Sequence, residues 1–221
     1  MRATAEGVIR RPHSRGRGWL SAVALLPLLL GACAGMRTAG EPLAPEAQEA
    51  LLRELPRFSL RGRTSIVTTD PATGEKNGPP TAYLNWEQQR EEATFRLSGQ
   101  FGIGNLAVTW RPEGLRLVAG RDEVYEGANA EQMLINEIGF VPPFEALRYW
   151  ILGVEAPGEP ATQRRVADSG RIGEMTQQQW RIRYTDWRKV RARGGTVELP
   201  RNLTVTRDNL RLKLKIYKWK L

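Results

Sequence analysis

A curved antiparallel β sheet with a few helices laid against its concave face is the fold the sequence predicts, and three observations lead there. Short runs in which apolar and polar residues alternate recur along most of the chain. Turn signals rich in Gly, Pro, Asn and Asp divide these runs at hairpin spacing. No helical segment separates the early runs, so their connections are too short for parallel crossovers, while two helical segments interrupt the sheet midway. The class is therefore mainly β with a few helices, α+β.

Taken in order, residues 34–45 are small, mostly polar and interrupted by Gly and Pro, which suits a flexible tether. Pro45 opens a helix with Ala47, Ala50 or Leu51, and Leu55 at helical spacing, and Pro56 ends it. The period then changes to two. Phe58, Leu60, Gly62, Thr64 and Ile66 alternate with Arg57, Ser59, Arg61 and Arg63, the pattern of a strand with one wet face. Further strands are predicted at Ala82, Leu84 and Trp86; at Phe95 and Leu97; at Leu106, Val108 and Trp110; and at Leu115 and Leu117. The later ones fall at Trp180, Ile182 and Tyr184, at Leu203 and Val205, and at residues 210–216. Turns are expected at 70–74, 77–80, 112–114, 194–195 and 208–209. Asn129, with Gln132 three residues on, resembles a capping box ahead of Met133, Leu134 and Ile138, and Gly139 is the stop. Pro142 and Pro143 open the next helix, with Phe144, Leu147 and Ile151 on one face and Gly153 just past its end. After Ile216 the apolar register moves to Tyr217, Trp219 and Leu221, which predicts a bulge in the last strand. Alternation alone does not say whether the inner side chains fill the space or line a cavity.

Composition excludes most catalytic chemistry. The 221 residues include one His and one Cys. The His, His13, lies in residues 1–32, which read as a cleaved leader, so the mature chain has no histidine and with it no Ser-His or Cys-His pair and no His-bound zinc. One thiol makes no internal disulfide, redox pair or zinc ribbon. The leader also takes five arginines and one glutamate with it, so the net charge falls from +9 to +5. An Arg-rich start followed by an apolar stretch of 12 residues, 19–30, is the anatomy of an export signal. A transmembrane helix needs about 20 apolar residues, and this shorter stretch contains Pro27.

Leu30, Gly31, Ala32 and Cys33 together resemble the bacterial lipobox, which implies that Cys33 becomes the acylated first residue of the mature protein. With about 0.8 kcal/mol per buried methylene, several chains on one residue anchor a protein durably. Ala34 rather than Asp after the cysteine directs such lipoproteins to the outer membrane. The expected organisation is a signal peptide at 1–32, the acylated Cys and tether at 33–45, and a single folded domain at 46–221.

The glycines between 99 and 104 have neither the order of a dinucleotide fingerprint nor a P-loop Lys, and read as a hairpin loop. Phe101 and Ile103 are large apolar residues at its tip: either they fold back on the core, or they form a projecting finger for membrane or lipid. Residues 187–193 interleave Trp187 with basic residues and read as a solvated hairpin loop able to meet anionic headgroups or an acidic partner; no nucleic acid is expected for an exported protein. Lys213, Lys215, Lys218 and Lys220 read as strand-face charges that also discourage edge pairing. Asp122, Glu123, Glu126, Glu131 and Glu137 are the nearest approach to a carboxylate cluster, and solvated charge accounts for them.

The order of several segments resembles the outer-membrane lipoprotein-sorting receptor family LolB. They run from Phe58 to Arg63, from Tyr83 to Gln88, from Phe95 to Gly102 and from Pro143 to Gly153. Gln179, Trp180, Tyr184, Leu199 and Pro200 follow, and the stretch from Leu210 to Trp219 closes the series. The resemblance implies a half-open antiparallel barrel with helices covering an apolar cavity. It also implies acceptance of acylated lipoproteins from a soluble LolA-like periplasmic carrier, and their insertion into the outer membrane without nucleotide, cofactor, metal or catalytic residue. The protein would be a monomer, lipid-anchored and facing the periplasm. Phe101 stands where relatives often carry Leu, and Gln100 replaces the usual Pro. The expected acyl-cavity residues are Trp86, Leu97, Leu106, Val108, Trp110, Leu115, Leu117, Met133, Leu147, Trp150 and Ile182. The rival readings are a docking scaffold for an envelope assembly machine, with a filled core, and a carboxylate-dependent envelope enzyme.

Overall fold

The computed structural model of the protein describes residues 42–78, 81–99, 105–120, 123–167 and 169–221. Cys33, Gln100, Phe101, Ile103 and Asp122 lie outside the described residues.

Helix α1 (Pro45–Arg53) begins on its proline, but it turns a different face inward from the one the spacing suggests. Ala47 and Ala50 are exposed, whereas Leu52 is buried, with Gln48, Leu51 and Leu55 half-buried beside it. The rotation follows from Gln48. Its Nε2 donates to the Glu198 carbonyl at 3.2 Å and its Oε1 accepts from the Glu198 N–H at 2.8 Å, so one amide side chain pairs with the backbone as a strand would. The end of the expected tether is held too: Leu43 N–H donates to the Thr196 carbonyl at 3.0 Å.

The strands are β1 (Arg57–Thr69), β2 (Lys76–Asn77), β3 (Ala82–Gln89), β4 (Glu92–Ser98), β5 (Leu106–Arg111), β6 (Gly114–Ala119) and β7 (Glu123–Glu126). After the helices come β8 (Thr162–Val166), β9 (Ile172–Gln177), β10 (Trp180–Ala192), β11 (Gly195–Arg207) and β12 (Leu210–Lys220). They form one antiparallel sheet in the order β7-β6-β5-β4-β3-β1-β12-β11-β10-β9-β8, with β2 beside β1. Two meanders are thus joined where the first strand pairs with the last. Among the described residues β7 and β8 are the two edges, so the sheet is not closed.

The bulge in β12 lies where the register change requires. Arg61 faces Lys218 and Gly62 faces Ile216, which leaves Tyr217 unmatched. Tyr217 is therefore exposed rather than inward, while Trp219 returns to the core. Gly62 makes the close approach possible, because a Cβ there would stand 2.3 Å from the Lys215 carbonyl oxygen.

Three other expectations change. Residues 187–192 belong to β10, paired with β11 from Trp187 opposite Pro200 to Ala192 opposite Gly195, so the turn is only Arg193 and Gly194. The half-buried Trp187, packed 5.3 Å from Tyr184, carries the strand past the point where alternation fades. The lysines of β12 lie on an interior strand, between β1 and β11, and guard no edge. Helix α2 (Ala128–Ile138) is capped by Gly127 at φ +56°, so Asn129 sits inside the first turn and makes no capping box; Gln132 instead bonds Asn136 at 3.2 Å. Gly139, at φ +88°, ends α2 in the left-handed conformation as expected.

Helix α3 (Phe144–Trp150) buries Phe144, Ala146, Leu147 and Trp150 against the sheet. A chain of aromatic rings ties it to the centre. Centroid separations run 5.9 Å from Trp219 to Phe58, 5.8 Å to Trp86, 4.5 Å to Phe95 and 5.1 Å to Phe144.

Candidate functional site: an apolar pocket beneath α2 and α3

Inward positions of the central strands and the helix roof line a half-open apolar pocket of about 60 Å³. The sheet contributes Thr64 and Ile66 from β1, Leu84 and Trp86 from β3, Phe95 and Leu97 from β4, Val108 from β5, and Leu212 and Leu214 from β12. Leu134 and Ile138 of α2, Phe140 and Pro142 of the link, and Phe144 and Leu147 of α3 form the roof. Among the described residues no ionisable side chain lines it. Such a lining attracts ligand by removing apolar surface from water.

Among the described residues Thr64 is the one polar member of the lining; it is 6% exposed, and its Oγ1 is buried without a hydrogen-bond partner. The indole of Trp86 is satisfied, its Nε1 donating to Gln88 Oε1 at 3.1 Å, while Gln88 Nε2 donates to the Arg90 carbonyl at 2.9 Å. Behind the roof Gln177 acts as a clamp. Its Oε1 accepts from Trp150 Nε1 at 2.7 Å and from the Ala156 N–H at 3.0 Å, and its Nε2 donates to the carbonyls of Ala156 and Glu159. Tyr184 donates its hydroxyl to the Trp150 carbonyl at 2.8 Å, and burial pushes its phenol well above the ordinary range. These bonds pin the C-terminal end of α3 to β9 and β10.

Of the residues expected from the sequence, Trp86, Leu97, Val108 and Leu147 line the pocket together. Leu106, Leu115, Leu117, Trp150 and Ile182 are buried in the core without lining it. Trp110 and Met133 are half-buried, and Trp110 borders a separate surface groove with Pro143 and Glu145. The acidic residues Glu123, Glu126, Glu131 and Glu137 are exposed, Glu126 beside Arg116 at 3.4 Å. Sequence reasoning did not single out Thr64, Ile66, Leu84, Phe95, Leu212 or Leu214 as lining. All six have the inward parity of their strands, but only the pairing of β1 with β12 gathers them around one space.

An open antiparallel sheet with helices over an apolar interior defines a half-barrel able to hold apolar groups. The model of the family described as "Outer membrane lipoprotein LolB" matches residues 56–219, and the chain belongs to that family. Among curated relatives named "Outer-membrane lipoprotein LolB", that of Chromohalobacter salexigens is 30% identical over 222 residues, covering 96% of this chain and 97% of its own. That of Nitrosococcus oceani is 28% identical over 206 residues, covering 91% and 97%. Among solved structures, a LolA superfamily protein from Nitrosomonas europaea is similar with a TM-score of 0.45 and 9% identity, over 81% of this chain and 94% of that one.

Proposed function

We propose that the chain is an outer-membrane receptor that takes acylated lipoproteins from a soluble periplasmic carrier into the pocket and passes them to the outer membrane without nucleotide. The observation that carries this reading is the lining, which among the described residues is apolar except at Thr64. A methylene kept out of water is worth about 0.8 kcal/mol, so a chain of roughly 15 methylenes carries about 12 kcal/mol. Passage from one apolar interior to another avoids that cost and runs down a gradient of affinity. The acyl chains meet Trp86, Leu97, Val108 and Leu147 first, and the buried Leu106, Leu115, Leu117, Trp150 and Ile182, with Trp110 and Met133, form the wall behind.

At about 60 Å³ the pocket is far below the roughly 300 Å³ or more of a small-molecule site, so acyl chains are admitted only when the roof moves off the sheet. Cys33 bears the lipid anchor that holds the protein on the periplasmic side of the outer membrane, and Phe101 and Ile103 assist release of cargo into the bilayer. The test is transfer of a radiolabelled triacylated lipoprotein from a purified carrier to the chain from residue 33 on, carrying Cys33→Ala. Cargo recovered on the acceptor without nucleotide is the expected result. Cargo left on a demonstrably active carrier would favour a docking scaffold instead.

A further inference from the structure

The outer face of the sheet is as charged as the inner face is apolar. On β1 and β12 the outward side chains include Arg61, Arg63, Arg211, Lys213, Lys215 and Lys218, all exposed. Register sets like charges directly opposite each other, Arg61 against Lys218 and Arg63 against Lys215, an arrangement that weakens a sheet. Among the described residues none of these six is in an ion pair. Outward carboxylates on other strands are engaged elsewhere, Glu87 by Arg96 at 3.3 Å and Glu174 by Arg183 at 2.8 Å. Beside the cations, the hydroxyl residues Thr204 and Thr206 of β11 join Arg211 and Lys213 along a groove of about 900 Å³, in which Asp208 at the turn is the one carboxylate among the described residues.

We infer that this face docks on the anionic headgroup surface of a phospholipid bilayer. The cations lie in rows across neighbouring strands, which fits a laterally extended layer of phosphates better than a single acidic side chain. Half of the six are lysine, a residue depleted at protein–protein interfaces, and an apolar centre of the kind such interfaces need is absent from the outward positions of these strands. The exposed aromatics on the same face are tyrosines, Tyr83 at 53% and Tyr217 at 43%, which have the amphipathic build found at membrane–water interfaces. Arg63 lies over the Tyr83 ring, 4.6 Å from its centroid, and donates to its hydroxyl at 2.6 Å, so that guanidinium and phenol are presented together. The inference stands apart from the pocket and from the anchor.

The test uses the chain from residue 33 on with Cys33→Ala, which contains every described strand, helix and core residue, sedimented with phosphatidylethanolamine vesicles with and without phosphatidylglycerol. The parent is expected to bind the anionic vesicles more tightly, and to do so less as salt is added. Combined Arg211→Gln, Lys213→Gln and Lys215→Gln should weaken that binding about a hundredfold, each cation at an anionic surface being worth roughly fivefold. The same variant should keep cargo uptake and unfold at the same or a higher temperature, because the opposition of Arg63 and Lys215 is gone. Equal binding by parent and variant, or equal binding to both vesicles, would overturn the inference. So would a variant that keeps vesicle binding and loses uptake from the carrier, which would assign the face to an acidic protein.

Discussion

Thr64 places an unsatisfied hydroxyl in an otherwise apolar pocket, and replacing it with valine separates what that hydroxyl costs from what it does. The side chain is 6% exposed, faces Ala82 and Leu214 across the sheet, and has no hydrogen-bond partner for Oγ1. A buried hydroxyl left in this state costs about 1–3 kcal/mol, whereas valine keeps the β-branched shape and needs no partner. Thr64→Val should therefore raise stability by about 1–3 kcal/mol, or about 3–9 °C in the thermal midpoint at roughly 3 °C per kcal/mol for a domain of this size. In the receptor reading the same hydroxyl is the one donor available to an ester or amide carbonyl at the head of an acyl chain. Cargo uptake should then fall by about threefold to tenfold, the net worth of one hydrogen bond. Thermal unfolding by circular dichroism, paired with carrier-to-receptor transfer, reads both effects on one sample. A midpoint that drops in the variant would mean that the hydroxyl has a stabilising partner and would refute the argument. A higher midpoint with unchanged uptake would remove Thr64 from cargo binding.

Two further outcomes can be checked. Burial holds the Tyr184 phenol neutral well above the ordinary phenol range, so the folded state keeps its proton where the unfolded chain loses it. Stability from this residue is complete below about pH 10 and declines as pH rises beyond it; Tyr184→Phe should flatten that alkaline decline while costing about 1 kcal/mol at neutral pH through the lost bond to the Trp150 carbonyl. An alkaline titration of the two proteins showing parallel curves would contradict this. Phe101→Glu should retain cargo uptake but lose insertion into liposomes by about a hundredfold, since a charge carried into hydrocarbon costs about 2.5–3.5 kcal/mol; undiminished insertion would exclude this residue from the release step.

The sheet was legible wherever one face of a strand is wet. In β1, β3 and the first half of β12 the alternation names the inward residues correctly, because a period of two has only one solution there. Strands β7, β8 and β9 were missed: β7 and β8 are edges, β8 being exposed at every position, and β9 buries Ile172, Met175 and Gln177 at a spacing that is not two. β10 was cut short because Trp187 and Val190 are only half-buried, and the basic residues between them imitate a loop. For α1 the spacing named Leu51 and Leu55, which do pack against the core, but the rotation that buries Leu52 and exposes Ala47 and Ala50 was not legible, since it is fixed by Gln48 bonding Glu198 across 150 residues of sequence. The pocket follows the same logic. Each lining residue shows its parity locally, but which strands are neighbours depends on the long-range pairing of β1 with β12.

That pairing also constrains how the pocket can open. The roof belongs to the connection from β7 to β8, the two edges, so lifting it disturbs neither β1 nor β12 at the centre. Its two helices are held unequally. α3 is held at its C-terminal end by two hydrogen bonds of Trp150, its Nε1 donating to Gln177 and its carbonyl accepting from the Tyr184 hydroxyl, while Gln177 also fixes Ala156 and Glu159 of the segment that follows, and its first residue, Phe144, closes the aromatic chain from Trp219. α2 rests on β6 and β7, at the free margin of the sheet, and buries Ala130, Leu134 and Ile138, with Met133 half-buried beside them. Between the helices, Gly139 in the left-handed conformation is followed by Pro142 and Pro143, whose fixed φ angles leave little compliance after Val141. In the receptor reading the roof has to open for an acyl chain, and the expected place is α2, which sits on the β6–β7 margin, rather than α3, whose Trp150 is bonded to Gln177 and Tyr184. A disulfide or crosslink tying α2 to β6 should then block cargo uptake while one tying α3 to β9 leaves it unchanged; uptake that survives the α2 tie would refute this.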